Sequence, residues 1–261
     1  MELFLFSVVP DLVRRTVAAG ATGVVVDWER RGKSRRQAGH DTQINADTPR
    51  DLERVRAATD GLVLCRLNGF GPWTADEVDA AVARGADELL LPMVRTTVEV
   101  DRALDLVGGR CGLGILVETS EAVAVAAELA RRPLSRVYVG LNDLRIDRGS
   151  RSLFDPLLDG TADAVRAACG ALPFGIAGLT RPDAGRPVPS RLLAGELARL
   201  GASFTFLRRS FLADTAGRDP FVEIPRILAA VAAARSRTAA QVAADHAGLA
   251  AAVTAGMLEP A

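Results

Sequence analysis

The chain has 261 residues, close to the length of one large α/β barrel domain, and is long enough to form a single extensive hydrophobic core. Its composition, 49% hydrophobic and 25% charged, is typical of a globular protein, and its formal net charge of 0 argues against a nucleic-acid-binding protein. The first apolar run, residues 1–7, has no basic start and is too short to span a membrane, so we predict a buried strand there. Three cysteines without a CxxC spacing predict reduced thiols and a cytoplasmic location.

Short apolar strands then alternate with helical segments along most of the chain. The predicted strands are residues 2–8, 24–28, 62–67, 88–93, 112–118, 136–141, 173–177 and 203–208. The predicted helices are residues 10–19, 48–59, 74–84, 96–107, 120–131, 158–170, 190–200 and 220–235. Near-continuous apolar strands are typical of a parallel sheet covered by helices. Because eight such units occur and no GxGxxG follows the first strand, we predict a single (β/α)8 TIM barrel rather than an open dinucleotide-binding sheet.

Two helix starts and one extension carry further local signals. Thr48 precedes Pro49, which predicts an N-cap, and Thr74 with Glu77 predicts a capping box. We assign residues 1–235 to the catalytic barrel and residues 236–261 to an extra C-terminal helix. The alanine and leucine positions of this extension form a narrow apolar stripe, so we predict that it lies at a subunit interface of a homo-oligomer.

Polar residues follow several predicted strands at their carboxyl ends, where barrel active sites lie. Strands two, three, five and six end in Asp27 and Glu29, Arg66 and Asn68, Glu118, and Asn142 and Asp143, respectively. Side chains alternate along a strand, so Asp27 and Glu29 share one face, as do Arg66 and Asn68. We expect Asp27 to orient Arg66 or Glu29, while pairing of Arg66 with Glu29 across the barrel mouth is the structural alternative.

Glu118 and Asp143 lie about one βα repeat apart, which places both carboxylates at the tops of adjacent strands. Two close carboxylates repel unless a proton or a cation lies between them. Mg²⁺ or Mn²⁺, or another hard divalent ion, fits such oxygen ligands. The sequence therefore predicts a metal site formed by Glu118 and Asp143.

Two other kinds of catalytic centre fit the sequence poorly. A Schiff-base aldolase needs a lysine at a strand end. The only lysine, Lys33, falls several residues past strand two in a run of arginines that we expect to be exposed. The only histidines, His40 and His246, are too far apart in sequence for a histidine-bound zinc site.

Five motifs resemble those of the HpcH/HpaI aldolase and citrate lyase β-subunit family, a group of pyruvate- and phosphoenolpyruvate-type TIM barrels. Glu118 in ILVET and Asp143 in GLNDL resemble the two metal ligands of that family, and Arg66 in CRLN resembles its active-site arginine. Residues 27–29 are similar to its acidic D-x-E segment, and residues 91–93 to its strand-four proline motif. The resemblance runs from about residue 1 to residue 230.

The resemblance implies a class II, divalent-metal-dependent lyase or aldolase that acts on a 2-oxo acid and an aldehyde or related acceptor. It also implies a trimer or hexamer without nucleic-acid or membrane partners. Backbone around Gly140, Asn142 and Leu144 would bind the substrate together with Arg66. Arg30 stands where pyruvate aldolases of the family carry a histidine. We therefore assign proton transfer to Glu29 or His40, the nearest histidine.

Two alternatives stay open at this point. A CoA-thioester lyase of the malyl- or citramalyl-CoA type predicts a nucleotide-sized groove lined by arginines near residues 30–36 or 181–186. A barrel without lyase activity would instead serve as a ligand-binding or assembly subunit. Metal-dependent exchange of the pyruvate methyl protons separates an enolising enzyme from such a subunit.

Overall fold

The computed structural model describes residues 1–33 and 46–258 and shows a closed barrel of eight parallel strands in sequential order. The strands are β1 (Glu2–Phe6), β2 (Gly23–Asp27), β3 (Leu62–Arg66), β4 (Glu88–Leu91), β5 (Gly112–Val117), β6 (Arg136–Val139), β7 (Phe174–Leu179) and β8 (Phe204–Leu207). β8 pairs with β1 and closes the barrel. The predicted (β/α)8 fold is confirmed.

Helices surround the barrel between and after the strands. In the described residues they are α1 (Pro10–Ala18), α2 (Pro49–Ala58), α3 (Thr74–Ala83), α4 (Thr97–Val107), α5 (Ser120–Ala124), α6 (Ala126–Leu129), α7 (Leu141–Arg148), α8 (Asp155–Leu158), α9 (Thr161–Cys169), α10 (Ser190–Arg199), α11 (Ser210–Asp214), α12 (Pro220–Arg235) and α13 (Ala239–Leu258). The segment predicted as one helix over residues 120–131 is two short helices that meet at Val125. No helix of residues 1–33 and 46–258 is long and apolar enough to cross a membrane.

The two predicted N-terminal helix signals have different outcomes. Thr48 caps α2, and its capping box is completed by Asp51. The box predicted from Thr74 and Glu77 is wrong, because α3 has Trp73 as its N-cap residue and no side-chain cap. Both polar side chains serve the preceding loop instead: the Thr74 hydroxyl accepts from the Gly71 amide, and the Glu77 carboxylate accepts from Asn68.

The hydrophobic core has two parts that follow from strand alternation. One layer lies between strands and helices, and a second fills the barrel interior. The interior residues are Phe4, Val25, Leu64, Leu90, Leu116, Tyr138, Phe204 and Phe206, with Phe6 packed against them. This packed interior is the floor on which the carboxyl-end residues lie.

The predicted extra helix, α13, forms beyond the eighth barrel unit. It packs on α10, and Leu249 and Val253 are buried. One face of the extension is therefore covered by its own barrel. The predicted role at a subunit interface, and the division of the chain at residue 235, stay predictions.

Candidate active site and metal centre

The candidate site continues the alternation of the barrel interior. Val25, Leu64, Leu116 and Tyr138 face inward, and the positions two residues later are Asp27, Arg66, Glu118 and Gly140. Period-two alternation places these four positions directly above the apolar floor, at the carboxyl ends of the strands. The aligned register of Asp27 with Arg66 across β2 and β3 brings two of them side by side.

Asp27 and Arg66 form a two-pronged ion pair. The Arg66 Nε and Nη2 atoms donate to the Asp27 carboxylate at 2.8 and 2.7 Å. Burial raises the pKa of Asp27, but the Arg66 charge and hydrogen bonds, with the Lys33 charge, lower it overall to about 2. The guanidinium also lies 5.1 Å above the Phe6 ring. Asp27 thus orients Arg66, as predicted.

Glu29 is buried beside the same arginine. Its Oε2 atom lies 3.5 Å from Arg66 Nη1 and 3.2 Å from Lys33 Nζ. The expected exposure of Lys33 is wrong: its side chain is 3% exposed, and its Nζ also lies 3.4 Å from Asp27. The chain turns back directly after β2, which brings a residue beyond the strand end into the barrel mouth.

Glu118 follows β5 and is buried between two backbone features. Its Oε1 atom accepts a hydrogen bond of 2.9 Å from the amide of Met93, a non-glycine residue with φ of 55°. The Glu118 side chain also packs over Gly140, where an added Cβ would approach the Glu118 Cβ to 2.8 Å. The next residue, Thr119, caps α5. Of these two adjacent residues, Glu118 therefore belongs to the candidate site and Thr119 stabilises the start of the helix.

Asp143 lies close enough to Glu118 to act on its ionisation. Burial raises the pKa of Glu118, and the charges of Asp143 and Glu29 raise it further, although Arg66 and the Met93 amide oppose them. The predicted placement of Asp143 at the end of a strand is wrong, because β6 ends at Val139 and Asp143 lies in the first turn of α7. The structure nevertheless brings together the two carboxylates predicted to bind metal.

Hydrogen bonds connect the segments that carry these two carboxylates. The Asp147 carboxylate in α7 accepts from the backbone amide and hydroxyl of Ser120, each at 2.7 Å. Arg95 contacts both Asp147 and Glu121, at 3.5 and 2.7 Å. These contacts fix the end of α7 against the start of α5.

The segment predicted to bind substrate through its backbone, residues 140–144, is the start of a helix. The Gly140 amide donates to Val117 in the barrel, and the Leu144 amide donates to the Gly140 carbonyl. Leu144 is buried, and Asn142 is half-buried. Because the first three amides of a helix lack intrahelical acceptors, the donors available to an anion are those of residues 141–143 rather than Gly140 and Leu144.

Sequence reasoning gave Asn68 no role and missed Glu77. The Asn68 side-chain oxygen accepts from the Arg30 and Arg31 amides at 2.9 and 2.7 Å, which shapes the turn after β2. Glu77 binds the Asn68 side-chain nitrogen at 2.6 Å. Asn68 was visible as a polar strand-end residue, but its target, the backbone of a distant turn, carries no sequence signal.

The histidine within the described residues, His246, lies away from the barrel mouth. His246 in α13 contacts Glu196 in α10 at 2.8 Å, on the outside of the barrel. His40, predicted as an acid or base, lies outside the described residues.

A cavity of about 620 Å³ opens beside the site, among the segments that follow β2, β3 and β4. It is lined by Arg31, Gly32, Gly69, Phe70, Trp73, Met93, Arg95 and Glu99. The Arg31 guanidinium lies 4.5 Å above the Trp73 ring. The volume of this cavity, and the mixture of apolar and charged groups that line it, are typical of a small-molecule site.

No family model matches the chain. It is 33% identical over 118 residues to a (3S)-malyl-CoA thioesterase of Cereibacter sphaeroides, a match that covers 43% of this chain and 40% of the relative. It is 29% identical over 160 residues to an indole-3-glycerol phosphate synthase of Aromatoleum aromaticum, covering 57% of that protein. The chain thus spans about half the length of the curated relatives it matches.

Solved structures match nearly the whole chain. Protein CitE of Mycobacterium tuberculosis, in complex with magnesium, acetoacetate and coenzyme A, has a TM-score of 0.62 and 18% identity, covering 97% of this chain and 87% of that one. An HpcH/HpaI aldolase of Desulfitobacterium hafniense has a TM-score of 0.61 and 16% identity, covering 82% and 89%. The chain has the TIM-barrel fold of the HpcH/HpaI aldolase and citrate lyase structures. The predicted resemblance is confirmed at the level of fold.

Proposed function

We propose that the protein is a cytoplasmic, metal-dependent carbon–carbon lyase or aldolase of the HpcH/HpaI and citrate lyase type. Its substrate is a 2-oxo acid, cleaved to or joined with an aldehyde or related acceptor. The observation that carries this proposal is the placement of Glu118 beside Asp143 at the barrel mouth, where the charge of Arg66 also acts on Glu118. Fold likeness and the distant thioesterase relative support it.

The donor set of this site fits Mg²⁺ or Mn²⁺. Within the described part of the chain no group of three or more histidine, cysteine or acidic side chains forms a metal cluster, and the ligands we propose are the two carboxylates of Glu118 and Asp143. Mg²⁺ is usually bound by one or two carboxylates and completes its shell with waters and substrate oxygens. A cation also offsets the repulsion that opposes ionisation of Glu118. Such an ion supplies Lewis-acid polarisation of the substrate carbonyl.

The side chains divide the remaining tasks. Asp27 fixes two of the three guanidinium nitrogens of Arg66, and the guanidinium then stabilises negative charge that develops on the substrate oxygen. The amides of residues 141–143, at the N-terminus of α7, bind the substrate carboxylate. Glu29 is 1% exposed, so we assign it proton transfer through a relay rather than direct substrate contact. His40 is the alternative group for this step.

The proposal is tested by exchange of the pyruvate methyl protons with D₂O, followed by NMR. We expect exchange in the presence of Mg²⁺ or Mn²⁺, its loss on chelation, and its recovery when metal is restored. Arg66→Lys keeps the charge but not the planar fork, so its exchange rate should fall about 10²- to 10³-fold. A wild-type protein that exchanges no protons with any divalent metal would contradict the proposal.

The cavity favours a second candidate, a CoA-thioester lyase of the malyl- or citramalyl-CoA type. Arg31 lies within the arginine run that this alternative singles out, and Arg95 and Trp73 line the same cavity. Such a groove would accept an anionic, aromatic ligand of nucleotide character. Condensation of acetyl-CoA with glyoxylate, lost in Arg31→Ala, would favour this candidate over the 2-oxo acid aldolase. If neither substrate undergoes enolisation, the barrel is a ligand-binding or assembly subunit.

A further inference from the structure

Lys33 is the only lysine of the chain, and it lies inside the candidate site. Its Nζ atom is 3.2 Å from Glu29 Oε2 and 3.4 Å from Asp27 Oδ2. Burying a charged amine is costly unless carboxylates compensate it, and both carboxylates are themselves buried. Lys33 is therefore a structural component of the barrel mouth, held by two buried carboxylates, rather than a solvated side chain.

The contacts of Lys33 and Arg66 form a closed ring. Asp27 Oδ2 lies between Lys33 Nζ and Arg66 Nη2, and Glu29 Oε2 lies between Lys33 Nζ and Arg66 Nη1. Side-chain exposure rises around the ring from 0% and 1% for the two acids to 3% for Lys33 and 14% for Arg66. Arg66 is the most exposed member of this ring, whereas Lys33 is almost completely buried.

We propose that Lys33 is a positioning residue, which shares the charge of Asp27 and Glu29 so that Arg66 stays at the barrel mouth to meet an anionic substrate oxygen. This inference rests on the proposed function in one respect, that Arg66 contacts substrate. Without the lysine charge, Arg66 has to offset more of the charge of the two buried acids, which draws the guanidinium toward them. We do not assign Lys33 as a nucleophile, because its side chain is 3% exposed and its Nζ atom lies between the carboxylates of Asp27 and Glu29.

The experiment measures binding of oxalate, a planar dianion that mimics a pyruvate enolate, by calorimetry in the presence of Mg²⁺. Lys33→Met should weaken oxalate about 10- to 100-fold, as loss of supporting contacts commonly does, while Mg²⁺ binding persists. Lys33→Arg should recover most of the affinity. Arg136→Met is the matched control: Arg136 is a buried cation held by Glu88 and Glu2, at 2.6 and 2.9 Å, at the opposite end of the barrel. It should leave oxalate binding unchanged even where it lowers stability.

Two further measurements keep the test decisive. With ¹⁵N-lysine the chain gives a single Nζ signal, which should shift when oxalate saturates the wild-type site. The rate at which phenylglyoxal modifies Arg66, read by peptide mass spectrometry, should change in Lys33→Met and not in Arg136→Met. The inference is overturned if Lys33→Met binds oxalate with wild-type affinity. It is also overturned if the Nζ signal of the wild-type protein does not shift when oxalate binds. If the wild type binds no oxalate, the proposed function fails, and the Arg66 modification rates alone decide whether Lys33 positions Arg66.

Discussion

At the residue scale, the inward-facing side chains of the strands change from apolar in the barrel interior to polar two residues further along, at the carboxyl ends. Arg66 comes two residues after Leu64, and Glu118 two residues after Leu116. Each polar side chain therefore lies directly above an inward-facing apolar side chain of its own strand. The apolar floor excludes water from below, which strengthens interactions between the charges above it.

Metal binding should depend on both predicted ligands. Glu118→Gln or Asp143→Asn removes one anionic oxygen donor and should abolish Mn²⁺ binding, measured by electron paramagnetic resonance, while circular dichroism shows an intact fold. Glu121→Gln is the control, because Glu121 is an exposed acid of the same segment that contacts Arg95. Wild-type Mn²⁺ affinity in either ligand variant would remove the metal assignment.

Acid should destabilise the protein through Asp27. Its pKa is about 2 in the folded protein against an ordinary value of 3.8, so its contribution to stability is present above about pH 4 and is lost as the pH falls toward 2. The shift corresponds to about 2 kcal/mol. Urea unfolding of wild type and Asp27→Asn should show a stability difference that shrinks by this amount between pH 4 and 2. A difference that stays constant over this range would show that the Arg66 pair does not stabilise the fold.

At the element scale, two backbone segments decide where Glu118 points. The turn after β4 aims the Met93 amide at one carboxylate oxygen, and the end of β6 brings Gly140 under the side chain. Neither residue orients Glu118 through a side chain of its own. Gly140 leaves space for the Glu118 side chain, and Met93 donates a hydrogen bond to it from the backbone amide.

Gly140→Ala should therefore damage the metal site without changing any ligand. The new Cβ would collide with the Glu118 side chain and displace its carboxylate. We expect Mn²⁺ affinity to fall at least about tenfold, as for other supporting contacts of a metal site. Gly248→Ala in α13 is the control, since its Cβ would meet Leu192 at an ordinary 3.5 Å. Unchanged Mn²⁺ affinity in Gly140→Ala would mean that the Glu118 side chain can adopt another conformation that still binds the metal.

At the scale of the whole molecule, α13 has two different faces. Leu249 and Val253 are buried within the subunit, whereas Ala243, Ala247, Ala251 and Ala255 are exposed along one stripe. Truncation would remove both faces at once and would uncover α10. A test of the predicted subunit interface must therefore change the exposed face alone.

Ala251→Glu places a charge on that stripe and should split the predicted trimer or hexamer into smaller species, because an unpaired charge in an interface is costly. Light scattering at micromolar concentration measures the outcome. Ala57→Glu, on the exposed face of α2, is the control and should leave the assembly unchanged. An oligomer unaffected by Ala251→Glu, or a wild-type monomer, would count against an interface at this helix.

The sequence alone determined the barrel and the strand ends that carry most of the candidate site residues. Apolar runs and helix periodicity mark eight βα units because each strand is buried on both faces. The carboxyl ends of these strands place Asp27, Arg66 and Glu118 at one end of the barrel, and period-two alternation places them on its inward face. Helix α7 was not predicted, because an eight-residue helix that follows a strand after one glycine has too little periodicity to be recognised.

Only the tertiary structure decided what surrounds those residues. Lys33 reads as one charge in a basic run, yet the turn held by Asn68 buries it between Asp27 and Glu29. Glu77 has the spacing of a capping residue, yet it binds a side chain of the preceding loop. Local sequence fixes which face of a strand a residue occupies, because that depends on its neighbours along the chain. The partner of a buried charge is set by segments that meet only when the barrel closes.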